Sequence, residues 1–244
     1  MKRTYADLHL CPNLEDTAQT SNMINRAAKL GFRLIAIPLA PNASEKEIEG
    51  LRAVCDEAKV DFATRLDLKP RSPNELIDCL RKFRRRYEII AVVCESKKVA
   101  RQAAKDRRVD ILSFPSIDFH YRHFDLAEAE LASNALASLE IDMKPLLTME
   151  GRGRTRFLSS LRKEAAIAQA FHVPVVLSSG VSNESLMRKP QELVALSSLF
   201  DLDKTVALDA VSKNPMAIVK RNREKLDPRH VVPGIRIVRR GKDC

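Results

Sequence analysis

Short apolar segments recur along the chain, and they lack a strict alternation of polar and apolar positions. The clearest of them are four or five residues long and rich in Ile, Val and Leu. Continuous apolar runs of this length are typical of strands that are buried on both faces of a parallel sheet. We predict such strands at Leu34–Ile37, Ile89–Val93, Asp110–Phe114, Val173–Leu177 and Thr205–Leu208.

Stretches with helical spacing lie between these apolar segments. Phe157, Leu161, Ala165 and Ala168 are three or four positions apart, which places them on one face of a helix. Pro73 stands where another helix should begin, because proline is favoured in the first helical turn. The chain therefore alternates predicted strands with predicted helices.

Weaker strand patterns at Tyr5–Leu10, Asp61–Leu68 and Leu139–Leu146 bring the predicted set to eight, each followed by a helical pattern. Eight such units fit a chain of 244 residues, because a (β/α)8 TIM barrel usually has about 250 residues. A doubly wound open α/β sheet is the alternative. We predict one barrel domain over residues 1–226 and a basic tail over residues 227–244, which contains Arg229, Arg236, Arg239, Arg240 and Lys242.

The composition is that of a globular protein with an excess of positive charge. Apolar residues make up 45% of the chain and no low-complexity tract is present, which excludes a disordered or collagen-like protein. Lys and Arg number 42 against 32 Asp and Glu, a formal net charge of +10. This excess favours a polyanionic partner such as RNA, DNA or a phosphorylated metabolite. A solvated basic surface with no such partner is the simpler alternative.

The cysteines and the amino terminus give two exclusions. The five cysteines are widely separated and form no C-x-x-C pair, so we predict reduced thiols and neither a disulfide framework nor a zinc knuckle. The amino terminus has no long apolar run, and we therefore expect no signal peptide and no membrane span.

Gly151–Arg156 has three arginines alternating with small residues. Its spacing begins like a dinucleotide-binding motif, but an arginine stands where the third glycine belongs. We predict a flexible turn in which Arg152, Arg154 and Arg156 contact phosphates, because a guanidinium group pairs with phosphate oxygens through two hydrogen bonds. The alternative is a solvated helix start.

The loops that follow the strands of a barrel converge on one face, here called the strand-exit face. Ser178 and Ser179 precede Gly180 after the seventh predicted strand, where many barrels bind phosphate on backbone N–H groups; a tight turn is equally compatible. Cations predicted to share this face form one electrostatic field. They are Lys69, Arg71, Lys97, Lys98, Arg122, Arg152, Arg154, Arg188 and Lys213.

A second basic patch precedes the fourth predicted strand. By the strand order it lies at the opposite end of the barrel, the strand-start face. It is predicted to contact an RNA backbone or a partner protein, or to be a solvated helix end that offsets the helix dipole. Its cations are Arg81, Lys82, Arg84, Arg85 and Arg86.

Asp7, His9 and Cys11 alternate along the first predicted strand, so their side chains point to the same side. Cys can bind soft metals, but Pro38–Ala40 after the second strand offers no Asp or His, and two imidazoles in His120–His123 lack a helical face that would align them. We predict no metal here, and a buried polar pair of Asp7 and His9 that fixes the strand end.

Several segments, taken in order, resemble the ribonuclease P protein component 3 family, the 30 kDa-type subunit, in its archaeal form. The resemblance extends over almost the whole chain. The segments are Tyr5–Pro12, Asp110–Pro115, Phe124–Ser133, Leu139–Asp142, Val173–Gly180, Arg188–Pro190 and Val211–Pro215.

This resemblance implies an accessory subunit of ribonuclease P, an RNA-based endonuclease that removes the 5′ leader from precursor tRNA. The RNA of that particle uses Mg²⁺ for cleavage, so this chain would carry neither catalytic residues nor a cofactor. The resemblance also implies a barrel related to the polymerase-and-histidinol-phosphatase (PHP) metallohydrolases with a decayed metal site. Its implied partners are the ribonuclease P RNA, protein component 2 and other protein subunits, in the cytoplasm of an archaeal cell or the nucleus of a eukaryotic one.

Together with the charge pattern, the resemblance assigns RNA contact to Arg122, Arg152, Arg154, Arg156, Ser178, Ser179, Arg188 and Lys213. Two other functions stay open. One is a PHP-like metal-dependent phosphoesterase that uses Asp7, His9 and Cys11. The other is a barrel enzyme that binds a small phosphorylated metabolite at Ser178 and Ser179.

Overall fold

The computed structural model describes residues 3–114, 122–232 and 235–236. Seven parallel strands pair with one another in chain order. They are β1 (Tyr5–Asp7), β2 (Phe32–Pro38), β3 (Asp61–Leu68), β4 (Ile89–Val93), β5 (Ile111–Ser113), β6 (Ser138–Asp142) and β7 (Val175–Ser178).

Helices follow the strands and surround the sheet. They are α1 (Thr17–Leu30), α2 (Glu45–Glu57), α3 (Pro73–Phe83), α4 (Lys97–Lys105), α5 (Leu126–Ala135), α6 (Lys144–Thr148), α7 (Gly151–Ala170), α8 (Pro190–Ser197), α9 (Lys204–Ala210) and α10 (Lys213–Leu226). Short 3-10 turns occur at Glu184–Leu186 and Ser198–Phe200.

The helix starts follow from local chemistry. Six helices begin after an Asp or Ser whose side chain accepts a hydrogen bond from a backbone N–H of the first turn. Such caps satisfy donors that have no partner inside the helix. The capping residues are Asp16, Ser44, Ser72, Ser96, Asp125 and Asp203.

The seven strands curl into a nearly closed barrel, which confirms the predicted TIM-barrel-like fold. Hydrogen bonds between the first and last segments complete the closure at both ends. Ala6 N–H donates to the Val211 carbonyl at 2.9 Å, and Gly180 N–H donates to the His9 carbonyl at 2.9 Å. The segment around Val211 thus stands where an eighth strand would lie.

The eighth predicted strand, Thr205–Leu208, is wrong because these residues belong to α9. Asp203 caps that helix by accepting the backbone N–H groups of Thr205 and Val206. A four-residue apolar run does not distinguish a buried strand from a buried helix segment. Here the local cap favours the helix.

The predicted ends of two other strands are off by three or four residues. The sixth strand ends at Asp142, and α6 occupies the second half of the predicted Leu139–Leu146 strand. The first strand ends at Asp7 and leaves Leu8–Leu10 as buried loop. At Asp61–Leu68 and Ile89–Val93 the predicted and observed strands coincide.

Helix α10 closes the strand-start face. Its Ile218 and Val219 belong to a buried cluster with alternate strand positions such as Leu34 and Ile89. Asn214 in the first turn donates its side-chain amide to the carbonyl of Val175, the first residue of β7, at 2.8 Å. The opposite end of the barrel, where the strands finish, is therefore the end left for a site.

The segment after α10 forms a small antiparallel hairpin, β8 (His230–Val232) with β9 (Ile235–Arg236). Arg239, Arg240 and Lys242 of the predicted tail lie outside the described residues. Cys11, Cys55, Cys79 and Cys94 are free thiols. Within the described ranges, no helix is both long and apolar enough to cross a membrane.

Candidate functional site

A polar cluster, here called the barrel mouth, fills the carboxyl-terminal end of the barrel around Arg65 of β3. The Arg65 side chain is fully buried. Its two terminal nitrogens each donate to one oxygen of Glu140 at 2.6 Å. Its Nε donates to Asp67 at 2.6 Å, and Nη1 also donates to the Leu8 carbonyl at 2.7 Å. One side chain thus joins β3 to β6 and to the end of β1.

The members of this cluster are charged despite their burial. Burial lowers the pKa of Arg65, but Glu140 and Asp67 raise it by more, so the guanidinium group stays protonated. Burial raises the pKa of Glu140, yet the Arg65 charge outweighs burial and holds that pKa below its usual value. A buried pair of this kind depends on both partners, because the loss of one leaves a charge without compensation.

His9 lies between two carboxylates of the mouth. Its Nδ1 is 2.9 Å from Oδ1 of Asp142, and its Nε2 is 3.3 Å from Oδ2 of Asp67. Burial and the nearby Arg65 lower the pKa of His9, but Asp142 and Asp67 raise it by more, to well above its usual value. An imidazolium ring that donates from both nitrogens suits this arrangement.

Asp7 stabilises the loop after β1. Its Oδ1 accepts the backbone N–H of His9 at 3.1 Å and that of Ser179 at 3.0 Å. Burial raises the pKa of this carboxyl group. Cys11 takes no part in the cluster, since its thiol donates to the His9 carbonyl at 3.9 Å.

The two serines at the carboxyl end of β7 donate hydrogen bonds to groups inside the protein. Ser178 donates its hydroxyl to Glu140 at 2.7 Å, and Ser179 donates to the His9 carbonyl at 3.2 Å. Both residues are buried. The adjacent Gly180 has a φ of +61°, and a Cβ there would lie 2.8 Å from Cγ of Asp142. Of the two alternatives, the geometry favours a tight turn over a phosphate site.

The barrel mouth contains side chains of the types that bind metal ions. Among the described residues, His9, Glu140 and Asp142 place ligand atoms within 4.8 Å of one another. Both Glu140 oxygens are bonded to Arg65, however, and both nitrogens of His9 face carboxylates. Arg65 already occupies both oxygens of Glu140 and brings a positive charge of its own to the place where a metal ion would bind. The mouth therefore does not fit a metal ion while Arg65 stands in it.

Four central residues of this cluster were not predicted as site residues from the sequence: Arg65, Asp67, Glu140 and Asp142. Each sits at a position that alternates with apolar residues of a predicted strand, in the patterns R-L-D and E-I-D. Alternation places the charges of each pair on the same side of a strand. Three acids and an arginine at alternating strand positions were the signal in the sequence for a buried ionic cluster.

The strand-exit face and the adjoining surface of α7 carry several exposed cations. The flexible turn predicted at Gly151–Arg156 is wrong, because this segment is the first part of α7. Phosphate contact by its arginines stays a prediction. Arg152 and Arg156 are four residues apart on the same side of the helix and exposed, whereas Arg154 is half-buried. Within the described residues, the side chains of these three arginines have no hydrogen bond or ion pair.

A shallow groove between α7 and the start of α5 continues this surface. Arg156, Ser159, Ser160 and Lys163 form one side of it. Lys69 and Lys98, which follow β3 and β4, are also exposed at the same end of the barrel.

Arg122 has an internal partner. Its guanidinium group forms a buried ion pair with Glu164 at 2.6 Å, lies 5.0 Å from the Phe157 ring centre and donates to the Phe114 carbonyl. The side chain is only 4% exposed. It is therefore part of the packing between α7 and the loop before α5, and the geometry does not present it to RNA.

Arg188 and Lys213 complete the predicted set. Arg188 donates to the carbonyls of Ser185 and Met187 in its own loop. Lys213 is exposed but begins α10 at the strand-start face, beside Asn214, which is bonded to the first residue of β7. Its placement on the strand-exit face is wrong, because that placement depended on the eighth strand.

The basic patch on the strand-start face is mostly engaged in internal contacts. Arg84 pairs with the buried Asp110 at 2.6 Å, and Arg86 donates to the Pro41 and Ala43 carbonyls. The other contacts are those of Arg81 with Asp78 and of Lys82 with the Phe83 ring. Among the cations of the patch, Arg85 alone has no such contact with the described residues.

Comparisons with known proteins agree with this architecture. Residues 4–227 match the family described as RNase P subunit p30. Ribonuclease P protein component 3 of Methanosarcina barkeri is 30% identical over 96% of this chain and 95% of its own. That of Methanosarcina mazei is 33% identical over 71% of each chain.

A solved structure gives the same result. A chain of an archaeal ribonuclease P, determined by cryo-EM with mature tRNA, superposes with a TM-score of 0.83 at 26% identity. The alignment covers 98% of this chain and 100% of that one. The chain described here therefore belongs to the RNase P subunit p30 family, and it is a protein subunit of the tRNA-processing endoribonuclease ribonuclease P.

Proposed function

We propose that this subunit binds the ribonuclease P RNA and supports removal of the 5′ leader from precursor tRNA without contributing a catalytic group. The main support for this proposal is that the polar groups of the barrel mouth are already bonded to one another. There, Arg65, His9 and Glu140 are all bonded to other groups of the chain. A general base or a metal ligand needs a lone pair that is free for substrate or metal. Mg²⁺-dependent cleavage then belongs to the RNA.

A cleavage assay tests this proposal. The purified chain alone should leave precursor tRNA intact, and its addition to the cognate RNA with the other protein subunits should lower the Mg²⁺ concentration that cleavage requires. Cleavage by the chain alone that is lost in His9→Ala would instead support the PHP-like phosphoesterase. The geometry does not favour that alternative, and the burial of Ser178 and Ser179 equally disfavours a phosphorylated-metabolite enzyme.

The RNA surface that the structure supports best runs from the strand-exit face along α7. Arg152, Arg156 and Lys163 are exposed there and project from one helix into solvent. With no Trp and only 3 Tyr, the chain has few aromatic groups on which unstacked bases could stack. Recognition should therefore rely on RNA shape and phosphate contacts.

A protein partner of the component 2 type, together with other subunits, should strengthen this binding. The partner would sit away from α7, and the strand-start face is available for it because Arg85 and Arg107 are exposed there. RNA affinity measured with and without the component 2 protein tests this assembly. Equal affinity in both conditions, or specific binding to short single strands, would contradict it.

A further inference from the structure

Arg65 is a buried cation enclosed by acidic side chains at the barrel mouth. Its guanidinium group is enclosed by Glu140 and Asp67, each with an oxygen 2.6 Å from one of its nitrogens, and its side chain has no solvent exposure. Lysine could not make this set of contacts, because only the planar guanidinium fork bonds both oxygens of one carboxylate and a second acid through Nε.

The groups around Arg65 have the chemistry of a divalent metal site. His9, Glu140 and Asp142 offer one nitrogen and two carboxylate oxygens, with ligand atoms within 4.8 Å of one another. Nitrogen and oxygen ligands of this kind suit Zn²⁺ or Mn²⁺. Glu140 is the shared residue, since it is a member of this group and also the bidentate partner of Arg65.

Arg65 also links several strand ends, as a metal ion does when it takes ligands from different elements. It contacts the loop after β1 through the Leu8 carbonyl, and it contacts β6 through Glu140. Glu140 in turn accepts the hydroxyl of Ser178 on β7. These bonds join strand ends on opposite sides of the barrel opening by way of one positive charge.

We propose that Arg65 is a built-in cation that replaces a divalent metal ion at the barrel mouth, and that His9, Glu140 and Asp142 remain a latent metal site. The natural chain is then independent of metal for its folding. Removal of the Arg65 charge frees Glu140 and opens the site to a divalent cation.

The test compares metal binding by the full-length chain and its Arg65→Met variant, with Mn²⁺ alone as the probe. The natural chain should bind no Mn²⁺ at a single saturable site, and its Tm should not change. Arg65→Met should melt at lower temperature and should bind one equivalent of Mn²⁺, counted by electron paramagnetic resonance. At about a hundred times the Kd, Mn²⁺ should raise the Tm of the variant by about 5 to 10 °C.

Arg122→Met is the matched control, because Arg122 also forms a buried pair with a glutamate but has no histidine in that pair. It should lose stability without any Mn²⁺ response. Adding Asp142→Asn to Arg65→Met should abolish the Mn²⁺ response.

Two results would overturn the proposal: saturable Mn²⁺ binding by the natural chain at Glu140, or a folded Arg65→Met variant that ignores Mn²⁺. If Arg65→Met does not fold alone, refolding from urea decides the matter. Recovery of soluble chain only with Mn²⁺ supports the proposal, whereas failure with and without Mn²⁺ contradicts it.

Discussion

At the scale of single residues, two buried arginines determine how α7 and the barrel mouth are fixed. Arg65 joins strand ends, and Arg122 joins α7 to the loop before α5 through Glu164 and the Phe114 carbonyl. Arginine in such positions is costly unless every donor finds a partner. In both side chains each guanidinium nitrogen donates to a carboxylate oxygen or a backbone carbonyl.

Arg122→Ala is expected to lower the free energy of unfolding by about 3–5 kcal/mol, because Glu164 then loses its buried partner. Urea denaturation followed by circular dichroism measures this loss. Arg162→Ala is the control, since Arg162 pairs with Asp201 on the surface with both side chains more than half exposed, and such pairs contribute at most about 1 kcal/mol. An Arg122→Ala chain of full stability with weakened RNA binding would restore Arg122 as an RNA contact.

Glu128 gives a pH-dependent prediction. The residue is fully buried in α5, where it bonds to Arg101 at 2.6 Å, and burial followed by the neighbouring Asp125 raises its pKa to about 7. A carboxyl group whose folded pKa is raised is more stable protonated, so stability is present in acid and is lost as the pH rises from about 5 to 8.

The loss should amount to about 2–3 kcal/mol. Glu128→Gln removes the titration, so urea denaturation across this range should show a flatter profile for the variant than for the natural chain. Parallel profiles for the two chains would show that Glu128 is ionised throughout.

At this scale, contacts between neighbouring residues were predictable, whereas contacts between distant residues were not. Asp7 and His9 were predicted to form a buried polar pair because they alternate on one strand. The Asp7 carboxylate does accept the backbone N–H of His9, but the imidazole of His9 bonds to other acids. The partners of His9 lie 58 and 133 residues away, at Asp67 and Asp142. No local pattern in the sequence indicates a contact between residues that are so far apart along the chain. Nothing in the sequence distinguishes Arg122 from an exposed cation, and only the fold shows that Glu164 lies beside it.

At the scale of elements, the β7 exit controls how the barrel closes. Gly180 has a φ of +61° and donates its N–H to the His9 carbonyl, which links the β7 loop to the β1 loop. The next residue, Val181, accepts the N–H of Cys11 at 3.0 Å. A side chain on Gly180 would meet Asp142, which is a partner of His9.

Gly180→Ala is expected to destabilise the chain by about 2–4 kcal/mol, since strain at positive φ adds to a contact of the new Cβ with Asp142. Gly151→Ala is the matched control: its φ is +58°, but its Cβ would have no atom within 4 Å. It should cost only about 1 kcal/mol. Thermal and urea unfolding of both variants give the comparison, and equal losses would mean that the Asp142 contact relaxes without cost.

The strands were predictable where apolar runs are bounded by turn residues, as at Ile89–Val93. The eighth was not, because α9 carries the same apolar run as a buried strand and differs only in the cap at Asp203. That error moved Lys213 to the wrong end of the barrel. The two glycines of Gly151–Arg156 likewise indicated a turn. The helix predicted from Phe157 onward in fact begins at Gly151 and includes both of them.

At the scale of the whole molecule, the two basic regions differ in whether their cations already have partners inside the protein. On the strand-start face Arg84, Arg86 and Arg221 are engaged with Asp110 or with backbone carbonyls. On α7, Arg152 and Arg156 have no such partners among the described residues. A cation without an internal partner can neutralise a phosphate and so release a counterion condensed on the RNA, whereas a cation paired with a carboxylate must first break that pair.

This difference predicts a change in the salt dependence of RNA binding. Replacement of Arg152 and Arg156 by Ala should flatten the slope of log affinity against log salt by roughly two units, because each lost phosphate contact removes about one. Phosphate contacts carry no base information, so the loss should be uniform across RNA sequences. The slope is measured by filter binding or fluorescence anisotropy with the cognate ribonuclease P RNA.

The matched control replaces Arg81 and Arg85, two exposed cations of the strand-start face, and removes the same net charge. Its slope should change by less than half as much, because long-range charge is screened within about 10 Å at 0.1 M salt. If this control loses the two units and the α7 variant keeps its slope, the RNA lies on the strand-start face. The unpaired cations of α7 would then face solvent in the assembled particle.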